Sequence, residues 1–184
     1  MQKTNYYKKT LSRFPLDAVF VGRLYDGVIQ KKLHRFKFVH NTVDTVYFEG
    51  VFREIIEESG IQKSPSIVIV YPPISLKDRI FRWPNHAKRL AKIFAKVLGW
   101  WQVCCPFRKN VFAWHQSRRN KTQRKQIVQE YTLKQSETSS LYDKDIVFID
   151  DIITTGYTML ALWNLLSSVK KRSMIGFFLA SHKV

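Results

Sequence analysis

One short segment constrains the fold of this chain more than any other, because it joins an apolar run directly to a polar turn. Residues 145–149 (DIVFI) are apolar after the first aspartate and predict a buried β-strand. Two adjacent acids, Asp150 and Asp151, follow, and after two isoleucines the chain continues as TTGYT. Residues 157–169 are too apolar for an exposed surface and predict a largely buried helix. We therefore expect a strand, a polar turn and a helix in direct succession.

Three further segments extend the same alternation of strands and helices. Residues 67–71 are a β-branched run closed by two prolines and predict a buried strand, and residues 174–180 predict another. Residues 84–98 predict an amphipathic helix, with a proline in its first turn and a glycine after its last residue. Alternating strands and helices require crossover connections, so we expect an α/β domain with a mainly parallel, twisted sheet flanked by helices. Ligands of such sheets bind beyond the carboxyl ends of the strands, where the two acids are expected to lie.

The residue types of the polar turn are suited to a phosphorylated sugar. Adjacent carboxylates at the end of a buried strand repel one another, and this costs free energy unless a ligand interacts with them. Ribose hydroxyls or hydrated Mg²⁺ can do so. The glycine lets the backbone approach a ligand closely, while threonine hydroxyls and the first N–H groups of the helix favour a phosphate dianion. An ordinary Asp-rich turn with threonine N-caps accounts for only one acid and one threonine. We therefore interpret the turn as a ribose 5-phosphate site formed by Asp150, Asp151, Thr154, Thr155, Gly156, Tyr157 and Thr158.

Residues 149–158 (IDDIITTGYT) resemble the phosphoribosyl pyrophosphate motif of type I phosphoribosyltransferases, and the preceding sequence resembles one branch of them, the competence protein ComF family. The segments that carry this second resemblance are residues 24–27 (LYDG), 33–38 (LHRFKF), 71–75 (YPPIS) and 82–86 (RWPNH). Gln116 and Arg124 stand roughly where that family keeps a Gln and an Arg in a basic segment. The resemblance covers most of the chain from about Leu24 onward.

The chain also departs from the ComF pattern. Trp83 and His86 replace a glycine and a glutamine of the family's Arg-Gly-Phe-Asn-Gln element. The cysteine zinc module that many members carry has no counterpart, because the two cysteines, Cys104 and Cys105, are adjacent. Because the phosphoribosyl pyrophosphate motif itself is intact, these departures favour retained binding of the ligand over retained catalytic turnover.

The resemblance implies a type I phosphoribosyltransferase-like fold, with residues 1–66 as a small N-terminal hood of the same domain and residues 67–184 as the core. It implies Mg²⁺-assisted displacement of pyrophosphate from C1 of phosphoribosyl pyrophosphate by a nitrogen nucleophile, with Asp150 and Asp151 as catalytic residues. Mg²⁺ is expected to bind through substrate oxygens and water, with no direct protein ligand. The acceptor pocket belongs to the hood, where Tyr25, Phe36, Phe38, Tyr47 and Phe48 are either base-stacking or core residues.

Two basic segments complete this expected site. Ser75, Lys77 and Arg82 are the candidate pyrophosphate ligands, because cations there would neutralise the leaving group. A flexible loop that closes over the substrate is expected at residues 108–124, with Arg108, Lys109, Gln116 and Arg124 as its candidate ligands. The alternative for both segments is a solvated basic loop without a ligand.

The charge distribution favours polyanions as ligands. The formal net charge is +17, and between Arg79 and Gln129 there are thirteen basic residues and no acidic one. This favours a second hypothesis, a non-catalytic accessory protein of DNA uptake that binds single-stranded DNA through the same fold. Aromatic residues available to stack on bases are Trp83, Trp100, Trp101, Phe107, Phe112 and Trp114, although burial is the alternative role for most of them. A lysine-rich composition with solvated side chains is the simplest explanation of part of the charge.

Other features limit the remaining function classes. The five histidines are scattered without ligand spacing, so the sequence predicts no histidine metal site. The longest apolar runs are too short for a membrane-spanning helix, and the N-terminal residues do not resemble a secretory signal, so we expect a cytoplasmic protein. A homodimer, or a protein partner from the competence machinery, is the oligomeric expectation that accompanies the family resemblance.

Overall fold

A five-stranded, fully parallel sheet forms the centre of the molecule. A computed structural model describes residues 16–38, 42–74, 85–109 and 131–182. The strands are β1 (Ala18–Leu24), β2 (Ile67–Val70), β3 (Val103–Cys104), β4 (Phe107–Lys109), β5 (Tyr131–Leu133), β6 (Asp145–Ile153) and β7 (Ser173–Ser181). The helices are α1 (Gly27–Phe38), α2 (Thr42–Ser59), α3 (His86–Leu98), α4 (Gln135–Thr138) and α5 (Tyr157–Leu166), with a 3₁₀ turn at Ser139–Leu141. The sheet order is β1-β7-β6-β2-β3, and β4 and β5 form a separate antiparallel pair.

The central strands are apolar on both faces because helices cover both sides of the sheet. Val147 and Ile149 of β6 pack towards α1, α2 and α3. Ile146 and Phe148 pack on the opposite face against residues of α5, including Leu162. The expected mainly parallel α/β architecture with flanking helices is therefore confirmed.

Strand β6 is longer than its apolar run predicts. The run ends at Ile149, yet the backbone remains paired with β7 as far as Ile153, opposite Ser181. Asp150 and Asp151 consequently lie within the last part of the strand. Since β2 ends at Val70, opposite Phe148, both acids extend past the end of that neighbouring strand.

Residues just outside two of the helices satisfy backbone groups at the helix ends. Helix α3 starts after Asn85, whose side chain accepts a hydrogen bond from the Lys88 N–H, and it ends at Gly99 with φ of 71°. Helix α5 ends at Leu166, three residues before the predicted end. The hydroxyl groups of Ser167 and Ser168 there donate to carbonyls of the last turn.

The region predicted to form a hood contributes to the sheet itself. Strand β1 pairs with β7 from Ala18, opposite Ile175, to Leu24, opposite Ser181. Helices α1 and α2 supply buried core residues on one face of the same sheet, including Phe36 and Phe52. The described part of the predicted hood therefore belongs to the sheet and its helical layer, and the boundary at residue 66 stays a prediction. None of the described helices is long and apolar enough to cross a membrane.

Candidate functional site

Two acids at the carboxyl end of β6 form the centre of the candidate site. Asp151 is 7% exposed, and its N–H donates a hydrogen bond of 2.9 Å to Oδ1 of Asp150. Neighbouring residues of a strand normally project to opposite faces. The hydrogen bond from the Asp151 N–H holds the carboxylate of Asp150 close to Asp151 despite this. The acids face the edge of a parallel sheet at which ligands bind.

Lys37 supplies a positive charge that the sequence analysis did not assign to the site. It lies in the last turn of α1, and its ammonium forms an ion pair with Oδ2 of Asp151. The Lys37 side chain is 24% exposed, so its charged end lies at the boundary between the site and solvent. The available sequence signal was weak, since Lys37 belongs to residues 33–38 (LHRFKF), which resemble the ComF pattern but had no assigned role.

His86 reaches the same two acids from another element. It is the first residue of α3. One ring nitrogen of His86, one carboxylate oxygen of Asp150 and one of Asp151 all lie within 4.8 Å of one another. The sequence showed no spacing typical of a metal site, because His86 and the acids belong to distant segments. Their proximity results from the shared edge of the sheet.

The two acids have opposite pKa shifts. Burial, and next the charge of Asp151, raise the pKa of Asp150 well above its ordinary value. For Asp151, burial alone would raise the pKa, but the ammonium of Lys37 and the imidazole of His86 outweigh it, so that the pKa is lowered. The pair therefore favours a proton on Asp150 and a negative charge on Asp151.

The start of α5 provides the anion-binding half of the site. Thr154 and Thr155 are exposed in the bend after β6. Gly156 follows as the N-cap residue with φ of 71° and ψ of 8°, a left-handed conformation that favours glycine. It provides no side-chain cap, whereas the corresponding end of α3 is capped by Asn85. The amino end of α5, with the partly buried Tyr157 and Thr158 in its first turn, thus has the geometry of an anion site.

Most of the other predicted ligands lie outside the described residues, namely Ser75, Lys77, Arg82, Gln116 and Arg124. Arg108 and Lys109 are described, and they lie in β4, paired with Thr132 and Tyr131 of β5. These two residues therefore form part of a strand and not of a loop, because their backbone groups are used in pairing. Residues 110–130, which join β4 to β5, lie outside the described part of the chain.

The aromatic residues considered for base stacking have different environments. Phe36 and Phe48 are fully buried and contact each other edge to face, with ring centroids 5.0 Å apart. Tyr25 contacts the ring of His182 at 4.3 Å, and Phe38 is 47% exposed. Tyr47 is partly buried, and the ammonium of a lysine lies over its ring. Burial thus excludes two of the five as ligand-stacking residues in this conformation.

The tryptophans and phenylalanines considered for nucleic acid also differ. Trp100 donates from Nε1 to the Ile67 carbonyl at 2.8 Å, which makes it a packing residue. Phe107 is buried, whereas Trp101 is 64% exposed. Trp83, Phe112 and Trp114 lie outside the described residues.

Comparison with known proteins identifies a family. Residues 78–182 match the family model described as phosphoribosyl transferase domain. A crystal structure of a hypoxanthine phosphoribosyltransferase from Staphylococcus aureus is similar to the chain, with a TM-score of 0.47 and 18% sequence identity over 74% of this chain. The similar region covers 64% of that protein, so the chain spans somewhat less than two thirds of its length. No curated protein matches the chain.

Proposed function

Because this chain belongs to the phosphoribosyl transferase domain family, we propose that it binds phosphoribosyl pyrophosphate at the end of β6 and transfers the phosphoribosyl group to a nitrogen acceptor. One observation supports this above all others. A partly buried carboxylate, Asp150, and a buried one, Asp151, lie near the end of a central strand, and a left-handed glycine then opens a helix whose amino end has no side-chain cap. A ribose 5-phosphate satisfies both halves, since its hydroxyls meet the acids and its phosphate meets the helix.

The protonation of the acid pair suits the two ribose hydroxyls. Asp151, which favours the charged form, accepts a hydrogen bond from one hydroxyl, while protonated Asp150 both donates and accepts. As the C1–oxygen bond to pyrophosphate breaks, its electron pair leaves with pyrophosphate and positive charge develops on the ribose. The carboxylate of Asp151, which binds the ribose in this proposal, stabilises that charge. The nitrogen lone pair then forms the new bond to C1, and the nitrogen releases its proton to solvent.

The site also fits a hydrated magnesium ion, because ribose and pyrophosphate oxygens are ligands that Mg²⁺ prefers and the carboxylates would accept hydrogen bonds from its water molecules. When bound, Mg²⁺ would neutralise charge on the departing pyrophosphate. We assign the pyrophosphate itself to Ser75, Lys77 and Arg82, and exclusion of water to the loop that follows Lys109. Membership of the ComF branch, and a cytoplasmic role in DNA uptake, are the finer parts of this proposal and depend on the sequence resemblance alone.

Binding can be tested by isothermal titration of phosphoribosyl pyrophosphate with Mg²⁺. The variants are Asp151→Asn at the site and Glu49→Gln as a matched control, since Glu49 pairs with Lys96 on the surface. We expect heat for the unmodified protein and the control, and a loss of about 2 kcal/mol or more of binding free energy for Asp151→Asn. Absence of heat, or equal heat for the two variants, contradicts the assigned site.

Transfer requires a separate measurement. Release of pyrophosphate should appear when purine and pyrimidine bases or small amines are added to the protein with phosphoribosyl pyrophosphate and Mg²⁺. Binding without release across such a panel would reject the transferase step and leave a binding protein.

Binding of single-stranded DNA is a second candidate, and one surface feature favours it. Trp101 is 64% exposed and follows helix α3, whose outer face presents Lys88 and Lys92 to solvent. An exposed aromatic ring at one end of a helix with a lysine-bearing outer face is suited to stacking a base while the lysines contact phosphates further along the strand. Fluorescence anisotropy with a labelled oligothymidine should show affinity that falls steeply with salt and that decreases in Trp101→Ala. Tyr142→Ala is the matched control, since Tyr142 is a 55% exposed aromatic residue elsewhere. Equal effects of the two substitutions would contradict this candidate.

A further inference from the structure

We propose that His86, Asp150 and Asp151 form a direct binding site for a transition-metal dication such as Mn²⁺, which the chain binds without any phosphorylated substrate. The inference goes beyond the proposed function, in which a cation is held by substrate oxygens and water. It rests on the convergence of three side chains from two elements at one edge of the sheet.

The distances between the ligand atoms are close to those of a metal site. One nitrogen of His86 and one oxygen from each acid lie within 4.8 Å of one another. Ligands at about 2.1 Å from a shared cation lie about 3 to 4 Å from each other. Binding of an ion would therefore require the three ligand atoms to move together by no more than about 1–2 Å.

The environment of the acids also favours a cation. Asp151 is 7% exposed, and its Oδ2 is fully shielded from solvent. Lys37 neutralises one negative charge by pairing with that oxygen. Its position shows that the site accommodates a positive charge, and its partial exposure allows the ammonium to withdraw into solvent. A dication therefore competes with Lys37 for Asp151.

The imidazole determines which dication is preferred. Carboxylates alone suit Mg²⁺ and Ca²⁺, whereas an imidazole nitrogen favours first-row transition metals. A site with one imidazole and two carboxylates combines both types of ligand, which suits Mn²⁺ and disfavours Mg²⁺ as a tight competitor. The site would thus be loaded with metal before a sugar phosphate arrives.

The test is a titration of chelator-treated, full-length protein with Mn²⁺, followed by electron paramagnetic resonance of the free ion. We expect one Mn²⁺ per chain, displaced by Mg²⁺ only at a large molar excess. His86→Gln should weaken Mn²⁺ binding about tenfold or more. His34→Gln is the matched control, because His34 is exposed on α1, and it should leave binding unchanged. Lys37→Met should strengthen binding, since it removes the competing ammonium.

Three results would overturn the proposal: no Mn²⁺ bound, equal affinity of the two histidine variants, or displacement by equimolar Mg²⁺. If His86→Gln fails to fold, paramagnetic broadening in the unmodified protein replaces it. Substoichiometric Mn²⁺ should then broaden the imidazole resonances of His86 before those of His34 and His182, and uniform broadening would contradict the site. Because no substrate is present, these results are independent of phosphoribosyl pyrophosphate binding. Mn²⁺ binding in a protein that fails to bind phosphoribosyl pyrophosphate would reject the proposed function alone.

Discussion

Replacement of Asp150 by asparagine should make the protein more stable while it impairs binding. Asp150 is a partly buried acid, and desolvation and the charge of Asp151 raise its pKa. At neutral pH the unfolded chain ionises this residue freely, whereas the folded protein must hold either a proton or a second buried charge. Both states cost folding free energy, and Asp150→Asn removes that cost. The new side chain can still accept the hydrogen bond from the Asp151 N–H through its amide oxygen.

The size of the effect follows from the separation of the two acids. One carboxylate oxygen of Asp150 lies within 4.8 Å of one carboxylate oxygen of Asp151. Two unit charges at that distance repel by about 3.5 kcal/mol at an effective dielectric constant of about 20. Lys37 and retention of a proton relieve part of this. We therefore expect Asp150→Asn to raise the free energy of unfolding by about 1–3 kcal/mol, and hence the Tm by about 2–10 °C.

The neighbouring acid should respond in the opposite direction. Asp151→Asn removes the carboxylate partner of Lys37, so we expect the free energy of unfolding to fall by about 1–3 kcal/mol. Both variants should bind phosphoribosyl pyrophosphate more weakly. Opposite changes in stability with the same change in binding are the specific signature of a strained functional pair.

Urea unfolding between pH 4 and pH 8, in buffer with a chelator, measures the effect. A raised pKa in the folded state contributes stability below the unfolded pKa, and this stability is lost as pH rises towards the folded pKa. The gain from Asp150→Asn should therefore be absent near pH 4 and grow towards neutral pH. A destabilised Asp150→Asn, equal effects of the two substitutions, or a gain that is independent of pH would refute the reasoning.

Three further predictions concern other parts of the chain. Asp44 accepts two hydrogen bonds from Arg35, which lower its pKa; Asp44→Asn should therefore lower the Tm at neutral pH, and the difference should vanish as the pH falls through that depressed pKa. Gly156→Ala should lower the free energy of unfolding by about 1–2 kcal/mol because of its left-handed conformation, and Gly156→Asn by less, as measured in urea; equal losses would contradict this. Burial raises the pKa of Cys104 to about 12, so iodoacetamide at pH 8 should modify it much more slowly in the native protein than in urea, and similar rates would show that the thiol is accessible.

Local patterns predicted the elements that depend on local interactions. The apolar stripe of α3, with Pro84 in its predicted first turn and Gly99 after it, placed that helix within two residues of its observed start. The end of β6 was predicted four residues too early, since the polarity of the acids masks a strand that continues through pairing with β7. Where the end of a strand depends on pairing with a neighbouring strand, the local sequence pattern cannot predict it.

The order of the strands could not be derived in the same way. Residues 18–24 precede the predicted core by more than forty positions, yet they form an edge of its sheet beside the last strand of the chain. Such pairing joins the two ends of the described chain, and it depends on the complementary apolar faces of β1 and β7. For this reason the region before residue 66 was predicted to be a hood, although its described part belongs largely to the core.

The motif at the end of β6 illustrates what each level decides. The sequence by itself determined that two acids, two threonines and a glycine stand between the apolar run of residues 145–149 and a buried helix, because hydrophobic pattern and residue chemistry are properties of adjacent positions. Only the tertiary structure decided that Lys37 and His86 meet those acids, since α1 and α3 are brought together by packing on one face of the sheet. The local sequence therefore determines the carboxylate pair, whereas the ammonium and the imidazole beside it depend on the fold.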